Sequence, residues 1–526
     1  MADLIFRNGD IVDGSGKERF KGDVAVENGK ITAIGNLGGM QAAEEIDIRG
    51  KVISPGFIDM HSHADMTLLL VPEADSLVQQ GITTAVTGHC GQSTAPINEM
   101  NREDVEQLLG GMEVDIPWDQ LETMGGFIQA MRDLQLSVNV SPIVGQGMIR
   151  SAVMGYSAAR PNEEQIEQMQ QLVAQAMDES AIGISTGLIY PPGSYASTQE
   201  LIEVTRPVGE RGGIYFSHIR GEGDTLIQAT QEELEIGRQT GARLHHSHFK
   251  AAGRDNWHLA EPALRLIDQA NEEGLQMTSD MYPYLAGGTS LVAILPEWAQ
   301  EGGFETIVDR LKDAATRKKM VEAMQTEGFF KVAEWDKVLI PNASNPDYVG
   351  KYIAELADAA GKTPYEWIFD ALLETEGQID MILFMMSEDN VKKQLTHPAM
   401  MIGTDGAALP FEGPLADGAP HPRNYGTFPK VLGKYVREEK VLTLEDAVRR
   451  ITGYPAWKLG YETRGLIQSG YHADLVVFDP ATILDKADFV NPLQKPAGID
   501  YVLVNGVVVV KHGAHTHARP GMIATK

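Results

Sequence analysis

Ile82-Thr83-Thr84-Ala85-Val86-Thr87-Gly88-His89-Cys90-Gly91 reads as a buried, β-branched parallel strand that runs into the one cysteine of the chain. Gly88 and Gly91 flank that end and let the backbone come close to a bound group. The same pattern, an apolar strand running into a polar residue, recurs along the chain. Eight strands are expected, at 57–63, 82–90, 138–144, 181–185, 213–218, 243–248, 275–280 and 400–405. Helical stretches intervene, among them 162–178, where Ile166, Met169, Leu172, Val173 and Ala176 recur at helix spacing. Alternating units of this kind predict an α/β protein built on a (β/α)8 TIM barrel, whose chemistry gathers at the C-terminal ends of the strands.

Outside the barrel, short strand signals separated by Asn-Gly and Gly turns fill the N-terminus, and the pattern returns near the C-terminus with a hairpin around Asn505-Gly506. The simplest arrangement is one discontinuous β-sandwich domain from both termini, residues 1–55 and 465–526, around a barrel at 56–464. The gap between the seventh and eighth strands is too long for a plain connection. An insertion at about 286–344 is expected there as a lid over the barrel mouth, followed by a helical stretch at 347–376.

Among 526 residues, 44 basic against 73 acidic side chains give a formal charge of −29, which argues against nucleic acid or an anionic membrane surface as partner. No apolar stretch approaches the roughly 20 residues of a membrane span. One cysteine excludes an internal disulfide, and the N-terminus carries no basic then apolar leader pattern, so a cytoplasmic location is expected. The oligomeric state is not legible.

His61 and His63 stand two apart on a strand, so their imidazoles share a face. Cys90 follows one βα unit later, and His218 and His248 each end a strand after a serine. Asp405, in Gly403-Thr404-Asp405-Gly406, ends the eighth strand as metal ligand or general base. Thiolate and imidazole donors select zinc over magnesium or calcium. Zinc with an adjacent carboxylate points to hydrolysis, and Asp405 can take a proton from water and return it to a leaving nitrogen.

Longer motifs surround these residues: Pro55-Gly56-Phe57-Ile58-Asp59-Met60-His61-Ser62-His63, Gly183-Ile184-Ser185-Thr186-Gly187-Leu188-Ile189-Tyr190, Ser217-His218-Ile219-Arg220, Ser247-His248-Phe249-Lys250, Asp280-Met281-Tyr282-Pro283-Tyr284 and His421-Pro422-Arg423-Asn424-Tyr425-Gly426. Together they resemble the amidohydrolase superfamily, and within it the D-aminoacylase family of N-acyl-D-amino-acid deacylases, over nearly the whole chain. The resemblance implies a tightly held zinc on Cys90, His218 and His248, a weaker second site on His61, His63 and Asp405, and Asp405 as catalytic acid/base. It implies an N-acyl amino acid substrate whose carboxylate meets Lys250 and Tyr282, with Arg423 a further candidate and Tyr190 a contact or packing residue.

In related hydantoinases and dihydroorotases a carboxylated lysine takes the place of the cysteine, and the fourth strand here ends without lysine. A cyclic-amide hydrolase, or a hydrolase of N-acyl-L-amino acids or dipeptides, is the alternative. Two positions depart from the family pattern: His89 stands where asparagine is common, and Gln146 where Gly-His-Gly is common. Either change alters what surrounds the metal ligands.

Overall fold

Short apolar strands alternate with amphipathic helices through the middle of the chain, as drawn in a computed structural model that describes residues 1–108, 116–326, 334–413, 415–416 and 418–525. Phe57–Ser62, Ile82–Thr87 and Asn139–Pro142 form one parallel sheet in that order. Val144–Gly145, Gly183–Gly187, Ile214–His218, Arg243–His246, Thr278–Met281 and Met400–Ile402 form a second, again parallel and in chain order. Only Ile143 separates the two at one edge, and its N–H donates to the Thr87 carbonyl at 2.8 Å. At the other edge the Asp405 N–H donates to the His61 carbonyl at 2.8 Å, and the His63 N–H to the Gly406 carbonyl at 2.7 Å.

The helices begin where the sequence offers caps. Asn162 and Gln165 form a reciprocal capping box ahead of Glu163–Asp178, and Ser197 caps Thr198–Glu210. Each buries one stripe, Met169, Val173 and Ala176 in the first and Leu201, Val204 and Val208 in the second, so the helices flank the parallel strands. Among the described residues no helix is long and apolar enough to cross a membrane.

Both ends of the chain build a common nine-stranded sheet. Ala2–Ile11 pairs with Phe20–Glu27 on one side. On its other side it meets Ala42–Asp47 with its first half and Val52–Pro55 with its second, turning at Asn8, where φ is 62°. Val52–Pro55 in turn pairs with Leu475–Phe478, the first of the C-terminal strands. From Thr516 the chain leaves this sheet and crosses to the parallel strands, where the Ala524 N–H donates to the Val140 carbonyl at 2.8 Å. The expected boundary at 465–526 therefore has its last residues docked elsewhere, a placement that backbone hydrogen bonding fixes and composition does not.

The segment between Thr278–Met281 and Met400–Ile402 has its own core, with Ile307, Leu311, Met320, Trp367, Phe369 and Leu372 buried together. Ala286–Ser290 and Val338–Leu339 both pair antiparallel with Asp380–Phe384. This sheet runs past the expected limit at 344, since a lone apolar strand carries no sequence mark of the sheet it joins. Residues 327–333 of the expected insertion lie outside the described residues.

Candidate metal centre

Cys90, His248 and Asp405 each stand just past the end of a parallel strand, and each adopts left-handed backbone, with φ of 54°, 35° and 51°. That conformation costs a non-glycine residue about 1–2 kcal/mol, and such strain is stored where the surroundings impose it. The turn comes two or three residues beyond the last ladder residue. The strands expected to reach residues 90, 248 and 405 accordingly stop at Thr87, His246 and Ile402. Close packing helps to fix the first of these turns, because a Cβ on Gly187 would lie 2.0 Å from the Cys90 carbonyl oxygen.

Their side chains converge. Cys90 Sγ lies 3.4 Å from His61 Nε2 and 3.4 Å from His248 Nε2. Asp405 Oδ1 lies 3.4 Å from His61 Nε2 and 3.1 Å from His63 Nε2. Two donor groups result, His61, His63, Cys90 and Asp405 in one and Cys90, His218 and His248 in the other, each within 4.8 Å, and the thiol belongs to both. A tetrahedral zinc, with Zn–S about 2.3 Å and Zn–N about 2.0 Å, spaces its donors by roughly 3.5 Å.

Electrostatics fits a cation as well. His218 is buried and neither ring nitrogen has a hydrogen-bond partner among the described residues, a loss of about 1–3 kcal/mol unless something else is ligated. Burial pushes His61 down to about 4 and His218 well below the usual imidazole range, so both are neutral donors at pH 7. Burial pushes the Cys90 thiol up, so its thiolate form calls for a cation beside it. Soft sulfur and neutral imidazoles together fit zinc.

Residues 44–510 match the amidohydrolase family. The chain belongs to that family. A D-aminoacylase of Alcaligenes xylosoxydans xylosoxydans is 36% identical over 100% of this chain and 98% of its own length. Among solved structures, a D-aminoacylase studied for its binuclear metal center, with one-metal activation and second-metal attenuation, superposes with a TM-score of 0.83 at 34% identity over 100% of both chains. The N-acyl-D-glutamate deacylase of Bordetella bronchiseptica, complexed with zinc and a phosphonate that mimics the tetrahedral intermediate, gives 0.84 at 33% identity over 99% of both.

Two buried carboxylates, not assigned from the sequence, lie against the candidate ligand side chains of this amidohydrolase. Asp280 accepts from His245 Nε2 at 2.8 Å and from the His248 N–H at 3.0 Å, and its Oδ2 lies 3.4 Å from His61 Nδ1. Glu222 Oε1 lies 3.1 Å from His248 Nδ1 and 2.6 Å from Lys250 Nζ. Burial alone would raise both carboxyls, and His61 beside Asp280 and Lys250 beside Glu222 hold them well below the usual range instead. With Nδ1–H donated to Asp280, His61 keeps its Nε2 lone pair for the centre, and His248, whose Nδ1 lies 2.8 Å from Lys250 Nζ and 3.1 Å from Glu222 Oε1, turns its Nε2 towards Cys90. The signal was available: Asp280 opens a motif at a strand end, and Glu222 lies four residues past His218.

Lys250, Tyr282 and Arg423 also meet at one side of the amidohydrolase site. The Arg423 guanidinium lies 5.1 Å from the Tyr282 ring centroid, and Lys250 Nζ lies 5.8 Å from it. Arg423 Nη1 donates to Asp405 Oδ2 at 2.6 Å, and its own Nε is buried without a partner among the described residues. Although burial would raise the Asp405 carboxyl, Arg423 and the imidazoles hold it well below the usual range, so it is ionised at pH 7. Tyr190 packs edge-on to His218 at 5.2 Å, and its hydroxyl accepts from Thr289 of the insertion at 3.0 Å.

The two departures sit close by. Gln146 is buried with both amide atoms unpartnered among the described residues. His89 stacks on His61 at 3.9 Å and 24°, with its edge to Phe216 and both nitrogens unpartnered among the described residues. His89→Ala removes the plate that fixes the His61 ring, and zinc affinity of this amidohydrolase is expected to fall about tenfold or more. Chelator competition measures it, and an unchanged affinity would show that the stacking positions nothing.

Proposed function

We propose that the chain hydrolyses the amide bond of N-acyl-D-amino acids to a carboxylate and a free D-amino acid, with zinc held by Cys90, His218 and His248 and a second, weaker position at His61, His63 and Asp405. The observation that carries this reading is the single thiol 3.4 Å from two imidazole nitrogens that come from different strand ends, with an ionised aspartate 3.4 Å from the same nitrogen of His61. Zinc, when bound, supplies Lewis acidity towards the amide carbonyl and makes water acidic near neutral pH.

Asp405 takes the proton from that water and returns it to the leaving nitrogen, the two steps an amide demands. Arg423 offers its unpartnered Nε to the substrate carboxylate while keeping Nη1 on Asp405, so substrate binding and the base share one guanidinium. Tyr282 donates its hydroxyl there, and Lys250, with one donor left after its contacts with Glu222 and His248, adds a second cation. Asp280 and Glu222 orient the ligand imidazoles from behind. Tyr190 bounds the pocket.

For the scaffold we infer that the two parallel sheets are arcs of one (β/α)8 barrel at 56–464, joined through Ile143 and through the bridge between Ser62 and Gly406. Leu4, Phe6, Val24, Ile31, Ile53, Leu475 and Leu503 are buried as one cluster, which supports a β-sandwich from residues 1–55 and 465–526. Contacts of Thr289 and of Gly288 with Tyr190 and Arg423 support the insertion as a lid. A thiol kept as a ligand suits the reducing cytoplasm.

The test is release of free amino acid from N-acetyl-D-methionine by zinc-loaded protein. Turnover is expected to vanish on chelation and to return with zinc. Faster ring opening of a hydantoin would favour the cyclic-amide alternative, against which stands the absence of lysine from Gly183–Gly187.

A further inference from the structure

A cavity of about 230 Å3 opens beside Cys90 and His63. Met66, Val105, Met148, Tyr156, Tyr190 and Pro192 form its apolar wall. They belong to the segments that follow Phe57–Ser62, Ile82–Thr87, Val144–Gly145 and Gly183–Gly187. Several polar side chains in the same wall are already hydrogen-bonded within the protein, and Gln92 of that wall is exposed. Asp65 Oδ2 accepts from both the N–H and the hydroxyl of Thr94 at 2.9 Å. Ser93 Oγ donates to the Ala95 carbonyl at 2.5 Å, and Ser151 Oγ donates to the Met148 carbonyl at 3.0 Å. The described lining contains no lysine or arginine.

Lys250, Tyr282 and Arg423 follow Arg243–His246, Thr278–Met281 and Met400–Ile402, on the opposite arc of the strand ends. A substrate with its carboxylate on that arc and its amide carbon between Cys90 and Asp405 extends its acyl group away from them, into the cavity. A space of about 150 Å3 admits benzene, so this one accommodates an unbranched acyl chain of roughly six carbons. An acyl group ending in a carboxylate would meet Asp65 and no cation, which excludes dicarboxylic acyl groups.

We propose that this cavity is an acyl pocket, and that the chain prefers N-acyl groups of about four to six apolar carbons over acetyl. The inference rests on the deacylase reading above and adds the acyl half of the substrate to it. Met148, on Gln146–Met154, lines the space together with Met66 and Val105, and we take it as the residue whose size sets the depth.

Two measurements on zinc-loaded protein test it. In the first, kcat/KM is compared for N-acetyl-, N-butyryl- and N-hexanoyl-D-methionine. A rise of about tenfold to a hundredfold from acetyl to hexanoyl, carried by KM, is expected from four added methylenes. Met148→Trp, and the milder Met148→Phe, bring the hexanoyl-to-acetyl ratio back towards one. In the second, calorimetry compares acetate with hexanoate, which need no turnover, and hexanoate is expected to bind at least about tenfold more tightly.

A flat or falling acyl series with equal binding of the two carboxylates overturns the pocket while leaving deacylation standing. A gain on lengthening the amino-acid side chain instead, from D-alanine to D-norleucine, lost in Met148→Trp, overturns it too by giving the cavity to the other half of the substrate. No hydrolysis of any N-acyl-D-amino acid would sink the deacylase reading alone, and the carboxylate titration would still decide the pocket.

Discussion

Cys90→Ala is expected to purify with less than about a tenth of the zinc of the parent protein and to hydrolyse N-acyl-D-amino acids at least about a thousandfold more slowly. Its sulfur is the one donor common to both groups, so its loss opens both together. Three of its neighbours, His61, His218 and His248, would then face a methyl group. The fold should tolerate the change, because removing one buried sulfur leaves a small cavity worth about 1–2 kcal/mol and alanine meets the same left-handed backbone cost as cysteine. Cys90→Ser keeps the volume and substitutes a hard oxygen, and it should hold zinc more weakly than the parent. Metal analysis after dialysis, beside a thermal melt, separates ligand loss from unfolding. Full zinc content in Cys90→Ala would refute the ligand assignment.

Asp405→Asn is expected to lose about 10²–10⁴ in kcat while keeping much of the zinc. Asparagine matches the shape of aspartate and cannot accept the water proton, whereas Cys90, His218 and His248 form a donor group without residue 405. A second consequence follows from Arg423. Its Nη1 sits 2.6 Å from Asp405 Oδ2 with both side chains nearly buried, so the variant leaves a cation without its counter-charge. Breaking a buried pair on one side costs about 3–5 kcal/mol, and a lowered Tm should accompany the kinetic loss. Asp405→Asn with Arg423→Gln should recover part of the Tm and none of the kcat. Activity near the parent level in Asp405→Asn would remove this residue from the chemistry.

Much of the fold was legible because the parallel strands advertise themselves. Ile82 to Val86 and Ile214 to Phe216 are apolar runs, and the ligand-type residues that follow them mark the strand ends. The helix at Glu163–Asp178 was equally legible, since its cap and its apolar spacing agree. The turns that aim the ligands were not, because nothing in cysteine, histidine or aspartate announces left-handed backbone. Asp280 and Glu222 escaped for a related reason: a carboxylate behind an imidazole is defined by proximity in space. The closing strand of the insertion, Asp380–Phe384, and the terminal segment that crosses to Val140 depend on pairings between distant residues, which local pattern does not encode.

A thiolate-centred site of this kind should cleave linear N-acyl-D-amino acids. Amino acid released from N-acetyl-D-methionine and N-acetyl-L-methionine by zinc-loaded protein, with a hydantoin assayed in parallel, tests it most directly. Turnover of the D substrate is expected at least about a hundredfold above that of the L substrate, a difference of roughly 2.7 kcal/mol, and above ring opening. Preference for the L enantiomer, faster opening of the hydantoin, or no release from either amide by zinc-replete protein would contradict it.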